Sequence, residues 1–317
     1  MPQLHALALA ALPLLFTPVA MNVHAADAKP LRLIVPYPSG HPIDRVARLL
    51  SEAIVEQGGQ ALVLDNRPAV DGLVGTEMVA QSLPDGHTAV IVSSEHAMFA
   101  ALGRRLPYHP TRDFTPVTQL AARQLVLVTH PSLPATSVKE LITLSKKEPG
   151  KLRYAARTPL EALPVELFKV STGTKIDRAD ELRPITDIVD GNSQVEMADA
   201  FRALPHVKEA RLRALAVGDV RRSEALPDLP TLTESGVKGY QAALWTGVLL
   251  PAKTPKAVAE RIQGTMAKAV HTANFKTTLA QNGADVVGST PAVWGKFIEA
   301  EIAKWKKVAH AAKLSFD

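Results

Sequence analysis

The segment from Leu31 to Leu50 constrains the fold most, because its apolar period changes from that of a strand to that of a helix across one proline-rich turn. Leu31, Leu33, Ile34 and Val35 form a short apolar run that Pro36 stops. From Ile43 onward, Val46, Ala47, Leu50 and Ile54 recur at helical spacing, while Arg45, Arg48, Ser51 and Glu52 fall on other faces. Pro42 suits the first position of that helix. The turn Tyr37, Pro38, Ser39, Gly40, His41, Pro42 thus leads into a helix N-terminus, whose unpaired N–H groups and positive dipole end favour carboxylate or phosphate. Any strand-to-helix turn of an α/β protein has this form, so the turn marks a candidate anion site without deciding one.

The alternation continues. A second strand is expected at Ala61 to Leu64, a turn at Asp65 to Pro68, and a helix at Thr76 to Ser82 opened by Gly72 and Gly75. A third strand, Thr88 to Val92, empties into Ser93, Ser94, Glu95 and His96. The order β-α-β-α-β calls for a mainly parallel sheet with helices on both faces, and in such sheets ligands collect beyond the carboxyl ends of the strands. His41 and His96 fall at loop ends on that side. Later strands are expected at Gln124 to Val128, Leu152 to Ala156, Leu212 to Val217 and Leu244 to Leu250, with a helix at Val138 to Lys147. An irregular stretch follows Ala156 up to Pro164, and Thr174 to Asp190 has weak periodicity and receives no assignment. Two late stripes, Val258, Ile262, Met266, Ala269, Val270 and Trp294, Phe297, Ile298, Ile302, Trp305, Val308, read as core and not as an aromatic binding box.

A chain of 317 residues exceeds what one core usually supports, which is roughly 250 to 300 residues, so two lobes are expected. Apolar residues make up 46% and charged residues 21%, which places the chain among globular proteins. Residues 1–25 hold no acidic or basic side chain besides His5 and His24, and they carry an apolar stretch from Leu7 to Val19 that ends in Val23, His24, Ala25. This pattern predicts a signal peptide cleaved after Ala25, although Met1 lacks the usual basic neighbours and Pro13 and Pro18 interrupt the stretch. No later run reaches the roughly 18 to 20 apolar residues of a membrane span. The expected product is therefore exported and soluble.

The absence of cysteine rules out disulfides, thiolate metal sites and a thiol nucleophile. The net charge of +5 is scattered among acids and not massed into a stripe, which argues against a nucleic-acid partner. No phosphate-binding loop, dinucleotide fingerprint, nucleophile elbow or zinc-type histidine spacing occurs, so neither a cofactor nor a metal is expected. Glu95 beside His96 is an adjacent acid-base pair without a nucleophile, too little for an enzyme.

Five segments occur in a telling order: LRLIVPYPSG followed by Asp44, DNRPAVDGLVGTE with PDGHT, LPYHPTRDFTPVT, LRALAV with ALPDLPTLTESGVKGY, and EIAKWKKV. Together they resemble the substrate-binding proteins of tripartite tricarboxylate transporters, the Bug family. The resemblance implies an α/β, two-lobed periplasmic binding protein fold (type II), each lobe a mainly parallel sheet flanked by helices. It places one lobe at 27–122 plus 247–317 and the other at 123–246, with crossings near Ala121 to Gln124 and Trp245 to Val248. It further implies a periplasmic monomer that closes on a small carboxylate without reaction. Delivery would be to membrane transporter subunits or, for some members, to a membrane sensor.

By the same resemblance, backbone N–H groups and hydroxyls from the first strand-helix loop and from a second-lobe loop hold the carboxylate. Pro38, Gly40 and Asp44 match, whereas Ser39 replaces a common proline and His41 a usual glycine, whose loss narrows close approach. In the second lobe Ala156, Arg157 and Thr158 replace a Ser- and Gly-rich turn, and only Thr158 keeps a hydroxyl. Arg157 either clamps the acid in bidentate fashion or stands as a solvated loop residue. A further loop, normally Tyr, Lys and Gly, reads Asp177, Arg178, Ala179, Asp180, Glu181 here. The expected ligand-binding set is Tyr37, Pro38, Ser39, Gly40, His41, Asp44, Ser93, Ser94, Ala156, Arg157 and Thr158. The departures leave open a ligand-sensing adaptor for a signalling receptor, with altered or lost binding.

Overall fold

A computed structural model describes residues 29–69, 72–179, 183–223 and 226–315. The expected leader, residues 1–25, lies outside the described residues, as do Asp180 and Glu181.

The chain opens with β1 (Arg32–Val35), α1 (Pro42–Glu56), β2 (Val63–Asn66), α2 (Leu73–Ala80) and β3 (Thr88–Ser93), the alternation that the periodicity predicts. β1 pairs in parallel with both β2 and β3, Ile34 lying opposite Asp65 and Val90. β2 sits two residues later than its apolar pattern indicates. The polar Asp65 and Asn66 belong to the strand because Arg32 pairs with Asp65, while Asn66 donates to the Tyr37 carbonyl and to Asp44.

A short helix, α3 (Glu95–Ala101), replaces the loop expected after β3, and the 16-residue β4 (Phe114–Thr129) follows. The remaining elements are α4 (Val138–Lys147), β5 (Arg153–Tyr154), α5 (Pro159–Thr172), β6 (Asp177–Arg178), α6 (Pro184–Val189), β7 (Val195–Asp199), α7 (Ala200–Lys208), β8 (Arg213–Val217), β9 (Ala243–Pro251), α8 (Lys256–Val270), α9 (Ala273–Gln281), β10 (Ala284–Val286) and α10 (Pro291–Ala312).

β4 organises the molecule. Up to Gln124 it pairs antiparallel with β9, and beside Ala121 to Arg123 with β10, in a sheet of order β10-β4-β9-β3-β1-β2. From Leu125 to Thr129 it runs antiparallel between β7 and β8. The sheets are therefore mixed: the expected parallel sense holds for β2-β1-β3 and β5-β6, but every pairing of β4 and β9 is antiparallel. β4 and β9 return against their neighbours' direction, which the early β-α-β alternation does not reveal.

The late stripes are core, as expected. Trp294 and Trp305 are fully buried, and Ile262 and Met266 nearly so. α10 is fastened from below the sheet: Trp294 Nε1 donates to the Val248 carbonyl at 3.2 Å, and Trp245 and Trp305 donate to the buried Glu301 carboxylate at 3.2 and 3.0 Å. Gly247 allows this approach, since a Cβ there would stand 2.3 Å from the Trp294 ring. Among the described residues no helix is long and apolar enough to cross a membrane.

Candidate functional site

The first loop is built by its own side chains. Gly40 takes a left-handed φ of 84°, which only glycine adopts cheaply, and returns the chain to α1. His41 caps α1 by accepting the Ile43 N–H on Nδ1 at 3.2 Å, and Pro42 follows at the first helical position. Asp44 is fully buried and accepts the Gly40 N–H at 2.8 Å, Arg48 Nε at 2.9 Å and Asn66 Nδ2 at 2.9 Å. Burial alone would raise its carboxyl, but the bonds from Arg48, Asn66 and Gly40 outweigh burial and hold it below the ordinary carboxylate value. The His41 ring stacks on Tyr37 with centroids 4.4 Å apart. Burial, and then the Arg123 charge, lower the His41 imidazole against the pull of Asp44. The Tyr37 hydroxyl bonds Ser93 Oγ at 2.8 Å and donates to Glu95 at 2.9 Å, tying this loop to the end of β3.

A cavity of about 540 Å³ opens between this loop and the second sheet. His41, Ser93, Ser94 and Glu95 line one side, Arg123, Leu125, Trp245 and Thr246 of the shared strands form its floor, and Ala155, Leu160, Glu161, Glu196, Asp199 and Arg202 line the other. Thr278 of α9 and Asn282, which follows that helix, close an end.

Of the expected residues, the structure brings His41, Ser93 and Ser94 to the cavity wall. Tyr37 stands behind His41, and Pro38, Ser39 and Gly40 shape the turn without lining the cavity. Asp44 points into the protein, where it holds the loop together. Ala156, Arg157 and Thr158 do not line the cavity; their neighbours Ala155, Leu160 and Glu161 do. Thr158 caps α5 by accepting the Glu161 N–H, and Glu161 accepts the Arg157 N–H at 2.7 Å while pairing with its guanidinium. Arg157 is therefore engaged with its own helix. His96 lies buried in α3, its Nε2 donating to the Pro110 carbonyl at 2.8 Å and its ring packed on Tyr108 and Phe114, and it does not line the cavity.

The far wall has no counterpart among the sequence expectations. Asp199 forms an ion pair with Arg123 at 3.0 Å across the change of sheet. Glu196 is 7% exposed, and its Oε2 is buried with no hydrogen-bond partner among the described residues. Burial pushes its carboxyl up to about 8, with Glu161 and Asp187 adding to the rise against Arg202 and Arg157. Arg45 and Arg202 line the cavity with no ion-pair partner among the described residues. One signal is present in the sequence: Glu196 interrupts an otherwise apolar strand, Val195 to Ala198, where a charge needs a reason. Among the described residues no group of three His, Asp or Glu side chains is placed to hold a metal ion.

The model of the tripartite tricarboxylate transporter family receptors matches residues 46–314, nearly the whole of the described chain. The chain belongs to that family. Its members are solute-binding receptors and not enzymes. It is 30% identical to the protein BugT of Bordetella pertussis over 298 residues, covering 92% of this chain and 91% of that one. The solved structure of R. palustris Rpa4515 with adipate is 32% identical, with a TM-score of 0.72 over 90% of this chain and 98% of that one. A solute-binding protein of the same family from Polaromonas, solved without ligand, is 20% identical and superimposes with a TM-score of 0.82 over 90% of this chain and 99% of that one, which supports the fold alone. The α/β architecture of this receptor family, a central mixed sheet flanked by helices, is thus that of the present chain.

Proposed function

We propose that this receptor captures a small organic acid in the cavity and delivers it to a tripartite tricarboxylate-type membrane transporter. The observation that carries the reading is the cavity itself, at the junction of two sheets, which is lined by the N-terminal end of α1, Ser93, Ser94 and two arginines, Arg45 and Arg202, that have no ion-pair partner among the described residues. The adipate held by the 32% identical Rpa4515 supports a carboxylate as the ligand class. In this reading the lobes are 27–122 plus 247–317 and 123–246. They close by hinge motion about β4, where it changes partners between Gln124 and Leu125. Residues 1–25 act as a leader, and the mature protein works in the periplasm as a monomer. Thermal-shift and calorimetric screens with di- and tricarboxylates, amino acids and aromatic acids should reveal at least one saturable ligand. Failure of every acid would reject the proposal.

A second reading has its own support. Gly40 N–H serves Asp44, Ile43 N–H serves His41 and Arg157 N–H serves Glu161, so the donors at both helix ends are largely used internally. Such a site suits a sensor or adaptor for a membrane signalling receptor, with weak or lost ligand binding. A pull-down from membranes that recovers transporter subunits alone would count against it.

A further inference from the structure

Resting on the reading of the cleft as a carboxylate site, we propose that its ligand is an ω-amino acid, with its carboxylate toward α1 and its ammonium group held by Glu196.

The two ends of the cavity differ in kind. At the α1 end stand the Ser93 and Ser94 hydroxyls and Arg45. At the opposite end Glu161, Glu196 and Asp199 line the wall beside Arg202, so acids outnumber bases there, and Asp187 of α6 adds its field. A second ligand carboxylate entering there meets Glu161, whose own carboxylate already takes the Arg157 N–H and guanidinium beside the α5 N-terminus. The position in which an anion would be welcomed is occupied by the protein's own anion.

Glu196 supplies the positive part of the argument. It is fixed in β7 opposite Val128, more than nine-tenths buried, and its Oε2 has no donor among the described residues. A buried polar atom without a partner is costly, and a cation that arrives from the cavity beside this carboxylate would relieve that cost. Pro164 contributes a further acceptor: lacking an N–H, it withholds the helical bond to the Leu160 carbonyl, and both residues line the same wall. An ammonium group has three donors and no acceptor, which suits a wall that offers a carboxylate and a carbonyl. Between the ends lie Met98, Leu125, Met197 and Leu244, which suit a methylene spacer.

Protonation gives the proposal a signature. In the empty site Glu196 retains its proton up to about pH 8. Ammonium binding favours the carboxylate, so it expels that proton, and affinity rises as pH rises toward that value. A dicarboxylate held by a protonated Glu196 would behave oppositely. Around Glu196 the charged neighbours are Glu161 and Arg157 of the α5 end, Asp187 of α6 and Arg202 of α7. His41 faces the cavity from α1 with a lowered imidazole value, so work above about pH 7 leaves it neutral.

Calorimetry on the full chain should compare 6-aminohexanoate with adipate and hexanoate, which share one chain length. Expected is binding of 6-aminohexanoate at least about tenfold tighter than of either other acid, with proton release seen as a dependence of heat on buffer ionisation. Glu196→Gln should lose that preference and leave hexanoate nearly unchanged. Adipate binding as tightly as 6-aminohexanoate, or affinity falling between about pH 7 and 8.5, would overturn the assignment while leaving the carboxylate reading intact. Silence from all three acids and from the wider acid screen would remove both. The wild-type comparison decides the matter even if the variant does not fold.

Discussion

Two buried carboxylates stand on opposite sides of the cleft, and their surroundings drive them in opposite directions. Asp44, on the α1 side, is completely enclosed, yet its carboxyl is held below the ordinary value because Arg48, Asn66 and Gly40 all donate to it. Glu196, on the β7 side, is pushed up to about 8, chiefly by burial and then by the neighbouring acids, and no donor among the described residues reaches its Oε2 to offset this. At Asp44 three donors outweigh burial, and at Glu196 burial stands without them. Asp44 is therefore part of the scaffold that shapes the first loop. Glu196 is a group left unsatisfied on a cavity wall, which is the condition of a residue that waits for a ligand.

The strongest way to break this contrast is to remove the satisfied member. Asp44→Ala leaves the Gly40 and Asn66 donors without their acceptor and frees Arg48, and should lower the unfolding free energy by about 3 kcal/mol in urea titrations. A loss below about 1 kcal/mol would show that the network is decorative. The sign with pH follows from the depressed folded value: the contribution is present at neutral pH, above the unfolded carboxylate value of about 4, and disappears as pH falls through the folded value. Glu196 has the reverse sign. Its folded value lies above the ordinary 4.5, so its burden on the fold is absent in acid, grows as pH rises from there toward about 8, and then levels off. Glu196→Gln should accordingly stabilise the empty protein by roughly 2 kcal/mol at about pH 8.5 and have little effect near pH 4. Equal stability of variant and parent at both pH values would mean that Glu196 is already satisfied.

The same contrast explains how much is legible in the sequence. The first wall is local: β1, the turn and α1 are contiguous, Pro42 marks the helix start, and the apolar period changes within twenty residues. α4 and β3 are legible for the same reason, and α10 through its stripe of tryptophans and aliphatics. The second wall is assembled from β5, α5, β7 and α7, which meet only because β4 runs on through both sheets. α5 is hidden by Pro164 inside it and α7 by Pro205, since proline ordinarily argues against a helix interior. β4 reads as five residues instead of sixteen because Thr115 to Arg123 mixes polar and apolar side chains, the pattern of a strand whose pairing is fixed by β9 and not by one apolar face. The family resemblance assigns Asp44 to the ligand, and only the folded structure reveals its three internal donors.

Smaller substitutions sharpen the comparison. Gly40→Ala has open space for its Cβ, so only the left-handed φ opposes it, at about 1 kcal/mol in thermal or urea unfolding. Any much larger loss would mean that the turn is packed more tightly than the structure shows.

Arg157→Ala gives the smallest expected effect on stability and the most specific one on the far wall. The Arg157–Glu161 pair is an exposed i,i+4 contact with the arginine 54% accessible, so its loss should cost no more than about 0.5 kcal/mol. Glu161 would keep its bond from the backbone N–H of residue 157 and so stay near the α5 N-terminus, but without the guanidinium its charge would weigh more heavily on Glu196. The wall becomes more acidic while its shape is retained. If Arg157 clamped the ligand directly, acid affinity would fall with this substitution. If the wall instead reads a cation, 6-aminohexanoate binding should hold or tighten as adipate weakens further, and calorimetry on the single variant separates the two.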